Sequence, residues 1–130
     1  MWIVEKTQNF HKSSDRIRIS QEAIEAIEEW AKSVYKIQAP NFRCCHRSLD
    51  KKFEIWNAKI PDKQNRKGKS GGFRLIVFFV LDECTVYLDL IERRNELGGK
   101  SERPKDQQTY NAYLDSLKSR LYERYENHNG

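Results

Sequence analysis

Three segments in the middle of the chain alternate apolar and polar positions with a period of two residues, as in a β-strand with one covered face. The first segment, FEIWNAKI, directs Trp56 and Ala58 to one side and Asn57 and Lys59 to the other. The second segment, GGFRLIVFFVL, directs apolar side chains to one side and begins the opposite side with Arg74. The pattern therefore predicts neighbouring strands with basic side chains on a shared face.

The third segment, TVYLDLIERR, ends in the pair Arg93 and Arg94. If the three segments pair as neighbours, Lys59, Arg74 and one of these two arginines converge on one surface. Arginine binds phosphate oxygens through two parallel hydrogen bonds, so a phosphodiester group would fit such a surface.

Helical periodicity appears on both sides of these strands. Ser20 can cap a helix that ends before Pro40, because a residue before proline is disfavoured in a helix. A last helix is predicted at approximately 106–125, where Tyr and Leu recur every three or four residues. Before the first helix, residues 2–4 are predicted as a short strand and the stretch DRIRIS as an extended approach. The stretch NFRCCHRSLDK shows no regular pattern.

Length and composition favour one small domain over residues 1–130, since 38% of the chain is hydrophobic. The most apolar run is strand-sized and contains an arginine, and the N-terminus lacks the order of a signal peptide. Three cysteines, an odd number, agree with a reducing compartment. We expect a cytoplasmic protein with no membrane association.

Basic charge is concentrated in the centre of the chain. Residues 43–74 contain ten Lys or Arg against three Asp or Glu, whereas the whole chain has 24 against 19. This asymmetry favours a polyanionic partner, most simply nucleic acid, and the alternative is a solvated lysine-rich loop. The connection KQNRKGKSGG supplies four of these cations as outward-facing candidates for phosphate contacts: Lys63, Arg66, Lys67 and Lys69.

The run Cys44, Cys45 and His46 is the one candidate for metal binding. Adjacent side chains of an extended segment point to opposite faces, and Cys84 is the remaining thiol, so the paired spacing of a zinc site is missing. We expect no metal and no other cofactor.

The order of a helix, a strand with basic positions, the segment SGGFRLIVFFV and a strand ending in ERR resembles the RelE/ParE superfamily of bacterial toxins, including its HigB-type members. The resemblance covers residues 53–94 and, more loosely, the helix before them. It implies an α+β fold, with helices packed on one face of a small antiparallel sheet that has a mixed edge. For the RelE-like branch it implies metal-independent cleavage of mRNA on the ribosome, and neutralisation by a cognate antitoxin protein.

The resemblance also implies roles for individual residues. Arg74 takes the place of the arginine that contacts the scissile phosphate, and Lys59 that of a lysine on the preceding strand, which could serve as the base. Asn57 stands where some members have a second lysine. Arg93 or Arg94 would supply the arginine at the end of the last strand; Arg93 is favoured and the register stays open.

The late tyrosine that stacks on a base in this family has no counterpart at the usual distance, and Tyr110 or Tyr113 could substitute for it. Two further functions remain open at this point. One is inhibition of DNA gyrase, as in the ParE-like branch, and the other is RNA binding by a basic module without catalysis.

Overall fold

The computed structural model describes residues 1–37, 39–61, 72–94 and 104–125. Five strands, three α-helices and one short 3-10 helix make up this part of the chain. In chain order they are β1 (Ile3–Lys6), α1 (Gln8–Ile17), α2 (Gln21–Ala31), β2 (Phe42–Arg47), β3 (Phe53–Ile60), β4 (Phe73–Val80), the 3-10 helix (Leu81–Glu83), β5 (Thr85–Arg93) and α3 (Pro104–Tyr125).

The five strands form one mixed sheet in the order β1-β5-β4-β3-β2. Strand β1 runs parallel to β5, and the other neighbours are antiparallel. The predicted α+β class is confirmed, as are the three central strands. Because β1 is short and pairs with β5 only as far as Leu88, no strand among the described residues pairs with the second half of β5 on that side.

The first face of the sheet is covered by α1 and α2. Phe10 of α1 and Ile27 of α2 are buried there against Trp56, Val77 and Phe79. The apolar side predicted for β3 and β4 is therefore confirmed, since Trp56, Phe73, Leu75, Val77 and Phe79 share this core.

The opposite face is covered by α3, whose Leu117 and Leu121 are buried against Ile55 and Ile76. The expectation that the helices pack on one face is wrong in this respect. The physical reason is the composition of β4, where nearly every position is apolar, because a strand with two apolar faces must be covered on both sides.

Two elements differ from the sequence-based predictions at the N-terminal half. Residues 8–17 form α1, where part of the segment was expected to be extended; Thr7 caps this helix by accepting a 3.2 Å hydrogen bond from the Phe10 N–H. The stretch expected to be irregular contains β2. A bulge at Cys45 shifts its pairing with β3, and this extra residue breaks the period of two.

The other two predicted helices are present, and α2 is shorter than predicted. Ser20 caps α2 as predicted, accepting a 3.1 Å hydrogen bond from the Ala23 N–H, but α2 ends at Ala31, well before Pro40. Helix α3 begins at Pro104 and ends at Tyr125. In the described part of the chain, no helix combines the length and the apolar composition needed to cross a bilayer.

Candidate nucleic-acid interface

Lys59 and Arg74 are direct cross-strand partners in the β3–β4 pair. They therefore lie on the same face of the sheet, the face that α3 covers farther along, and directly opposite side chains on neighbouring strands stand about 5 Å apart at Cβ. Lys59 is exposed, and the Arg74 side chain is 12% exposed. Two of the three predicted cations are thus brought together.

Arg74 is held in place from two directions. Its guanidinium lies over the ring of Tyr110, 4.5 Å from the ring centroid, a cation–π arrangement. Its Nη1 lies 3.6 Å from Oε1 of Glu92, the residue opposite Arg74 on β5. Since the Glu92 side chain is 39% exposed, this ion pair stands at the border between sheet and solvent.

Arg93 does not share the face of Lys59 and Arg74. It is paired with Phe73, its guanidinium lies 5.1 Å from the centroid of that ring, and its Nη2 donates a 3.0 Å hydrogen bond to the carbonyl oxygen of Ile17. Arg93, the arginine favoured from the sequence, therefore lies on the other face of the sheet, although it lines the same cleft as Arg74.

A bulge in β5 explains the change of face. The β4–β5 register shifts between Ile76, which pairs with Leu90, and Val77, which pairs with Leu88, so that Asp89 is an extra residue. One extra residue reverses the direction of every later side chain. Without it, Arg93 would lie on the same side as Arg74.

Arg94 lies in the same cleft as Arg74, and Asn57 lies on the same face of the sheet. The backbone N–H of Arg94 donates a 2.9 Å hydrogen bond to the carbonyl oxygen of Gly72, and Arg94 lines the same cleft as Arg74. Asn57 lies two residues before Lys59 on the same face, and its Oδ1 is buried with no hydrogen-bond partner among the described residues. The remaining predicted contacts, Lys63, Arg66, Lys67 and Lys69, lie outside the described residues.

A cleft opens between α1, the second half of β5 and the first half of α3, and we call it the basic cleft. Its volume is about 540 Å³, within the range of sites that hold small organic ligands. Glu92 is the acidic residue of its described lining. The cationic residues of that lining are Lys12, Arg16, Arg74, Arg93 and Arg94. This excess of positive charge between low-dielectric walls concentrates anions.

Two tyrosines of α3 complete the cleft wall. Burial, and then the neighbouring thiol of Cys45, raises the pKa of Tyr110, whose hydroxyl lies 3.9 Å from the Cys45 Sγ. Burial, and then the carboxylate of Asp89, raises the pKa of Tyr113. Both hydroxyls therefore stay protonated at neutral pH. One face of the Tyr110 ring already carries Arg74.

Lys12, Arg16 and Glu92 were not singled out from the sequence as members of a site. A signal existed for the first two, because residues four apart on a helix share a side, but the segment was not recognised as helical. For Glu92 no local signal existed, since its distance to Arg74 depends on strand register.

Within the described ranges, no group of three His, Cys, Asp or Glu side chains is arranged to hold a metal ion. No model of a known protein family matches the chain, and no curated protein matches it either.

Proposed function

We propose that this protein is an endoribonuclease that cleaves mRNA at a phosphodiester bound by Arg74. The observation that carries the proposal is that Arg74, the cross-strand partner of Lys59, lines the basic cleft together with Arg94. Several cations around one phosphate stabilise the charge that accumulates on its oxygens during cleavage. The local sequence resemblance to RelE-like toxins supports the same reaction.

RNA carries its own nucleophile, so the protein has to align and polarise rather than supply a covalent group. In the proposed reaction the 2′-oxygen attacks phosphorus and the bond from phosphorus to the 5′-oxygen breaks. The products are a 2′,3′-cyclic phosphate and a 5′-hydroxyl, and the departing oxygen takes its proton from water. Arg74 binds the nonbridging oxygens, and Lys59 and Arg94 stabilise the added charge.

We assign removal of the 2′-hydroxyl proton to Glu92. Its carboxylate lies 3.6 Å from the Arg74 Nη1, so a phosphate bound to Arg74 would bring the neighbouring 2′-hydroxyl close to it. Lys59 was the base suggested by the resemblance. A carboxylate accepts a proton in its ordinary charged form, whereas an exposed ammonium must first lose one.

The biological setting proposed here follows the same resemblance. The protein would act in the cytoplasm as the toxin of a type II toxin–antitoxin system, on mRNA held by the ribosome, and a cognate antitoxin would cover the basic surface. Five cationic side chains line a single cleft, which supports a polyanionic partner such as RNA.

Induced expression of the wild type and of Arg74→Ala, with mapping of mRNA ends and measurement of growth, tests the proposal. The wild type should cut mRNA and arrest growth, and Arg74→Ala should do neither while remaining folded by circular dichroism. Arg124→Ala is the matched control. Arg124 also lies near a tyrosine ring, but it is 14 residues from Tyr110 along α3, about 21 Å at 1.5 Å per residue.

Three results would contradict the proposal. Intact mRNA and normal growth on expression of the wild type would contradict the proposed activity. Trapped supercoiling intermediates without cut RNA would favour the gyrase-inhibiting alternative. Equal cleavage by the Arg74→Ala and wild-type proteins would contradict the assignment of Arg74 to the active site. Arg74→Lys separates folding from chemistry, because it keeps a charge and loses the bidentate geometry.

A further inference from the structure

Helix α1 occupies the edge of β5 that β1 leaves open. Beyond Leu88, the backbone N–H of Ile91 donates a 3.1 Å hydrogen bond to the Oγ of Ser13, a buried side chain in the middle of α1. The Arg93 guanidinium donates to the carbonyl oxygen of Ile17, the last residue of α1. These two bonds attach α1, one wall of the basic cleft, to the strand that carries Glu92.

Lys12 and Arg16 project from this wall. They are four residues apart, which places them on one side of the helix, and both are exposed and line the basic cleft. Neither forms an ion pair with another described residue. Arg74, by contrast, already faces the Glu92 carboxylate across the strands.

The cleft therefore has two cationic sides of different character. Arg74 and its neighbours on the sheet form one side, and the helix pair Lys12 and Arg16 forms the other, with a cavity of about 540 Å³ between them. Such a cavity admits one nucleotide strand, and phosphate groups repeat along that strand. Two separate cationic sides fit two phosphates better than one.

We propose that Lys12 and Arg16 bind a phosphate of single-stranded RNA adjacent to the phosphate held by Arg74. The inference rests on the proposed function for its choice of RNA as the ligand, and it does not depend on the cleavage step. Lys12 and Arg16 are positioning residues in this scheme: they hold the strand so that the scissile linkage lies at Arg74.

The test measures binding of a fluorescent 2′-O-methyl oligouridine, which cannot be cut by 2′-oxygen attack, to folded full-length protein. The variant is Lys12→Gln with Arg16→Gln, which removes two charges and keeps good helix formers. The control is Lys51→Gln with Arg124→Gln, which removes one lysine and one arginine from exposed positions outside the cleft lining. Affinity is recorded as a function of salt concentration.

The Lys12 and Arg16 double variant should bind about tenfold more weakly, and its salt slope should be smaller by about 0.7, the value for one lost phosphate contact on a single strand. The control double variant should retain more of the affinity and more of the salt slope. A dinucleotide with a single internal phosphate should bind both double variants alike, since it does not reach the α1 wall.

Equal affinity and equal salt slope for the two double variants would overturn the inference, because the effect would then be one of net charge. An equal loss with the dinucleotide would also overturn it, by showing that the two residues act on the Arg74 phosphate. If the wild type cuts no RNA and the double variant still loses affinity selectively, the endoribonuclease proposal fails and this binding site stands.

Discussion

The Tyr113 hydroxyl of α3 donates a hydrogen bond to the carboxylate of Asp89, the extra residue at the bulge of β5. Asp89 is 1% exposed, and its other oxygen accepts a 2.9 Å hydrogen bond from the Oγ1 of Thr7, at the junction of β1 and α1. One buried carboxylate therefore joins three elements, two of which form walls of the basic cleft. A hydrogen-bonded buried charge of this kind is costly to disturb.

Replacement of Tyr113 by Phe should lower the free energy of unfolding by about 1.5–3 kcal/mol, because it removes a hydrogen bond to a buried charged group. Urea denaturation measures the change. Tyr87→Phe is the matched control: the Tyr87 hydroxyl donates to the exposed carboxylate of Glu83 at 3.0 Å, and its loss should cost about 1 kcal/mol or less. Equal losses for the two variants would contradict the role assigned to Asp89.

Glu92→Gln should change RNA binding and RNA cleavage in opposite directions. Removal of the carboxylate beside Arg74 should strengthen binding by up to about fivefold, the usual range for a partly exposed ion pair. If Glu92 accepts the 2′-hydroxyl proton, cleavage should fall by about 100-fold or more. Binding assays and single-turnover cleavage on the same preparation measure both. Stronger binding with unchanged cleavage would leave Glu92 as an electrostatic neighbour and return the role of base to Lys59.

Gly72→Ala should destabilise the sheet end that carries Arg74. The φ of Gly72 is +144°, and an added Cβ would lie 2.6 Å from the carbonyl oxygen of Ile60. Backbone strain at such a position costs about 1–3 kcal/mol, and the same residue accepts the hydrogen bond from the Arg94 N–H. We expect a lower melting temperature together with weaker RNA cleavage. An unchanged melting temperature would contradict this expectation, since the β3–β4 end would then accommodate the added Cβ without loss of stability.

His46 should make stability depend on pH. Burial, and then the charge of Lys118, lowers the pKa of this imidazole, whose Nε2 lies 2.6 Å from the Tyr122 hydroxyl. A folded-state pKa below the unfolded value of about 6.5 means that the unfolded chain binds more protons in that window. The contribution of His46 to stability is therefore fully present above about pH 6.5, and it is lost as the pH falls through the folded-state pKa.

The measurement is the urea midpoint of wild type and His46→Gln at several pH values between about 7.5 and about 5, a range that spans the ordinary histidine pKa. The difference between the two proteins should shrink as the pH falls, since the wild type alone loses this contribution. A difference that stays constant across the range would contradict the assignment to His46.

The faces of β3 and β4 could be predicted because these two strands pair without a bulge, so Lys59 and Arg74 were correctly placed opposite each other. The face on which Arg93 lies could not be predicted, because the bulge at Asp89 reverses the direction of the side chains after it. That bulge is stabilised by Thr7 and Tyr113, which are distant in sequence, and no local pattern reveals it.

The cleft depended on a helix that the sequence pattern did not reveal. Its apolar side contains Phe10 and Ile17 but also the buried serines Ser13 and Ser14, so its periodicity is partly polar. Ser13 is buried because its Oγ accepts a hydrogen bond from the backbone N–H of Ile91 at the edge of β5. This N–H is available because β1 pairs with β5 only as far as Leu88. Lys12 and Arg16 could therefore be assigned to the cleft lining only once α1 was known to be a helix.

The most direct measurement of the central claim is the chemistry of the cut RNA ends. Purified protein is given a ribosome-bound mRNA and, in parallel, the same mRNA with a single 2′-deoxy substitution at a mapped cleavage site. The account predicts a 2′,3′-cyclic or 3′-phosphate on the upstream fragment, a 5′-hydroxyl on the downstream fragment, and no cut at the substituted position. Fragments with 5′-phosphate ends, or cleavage that persists at the 2′-deoxy position, would contradict it.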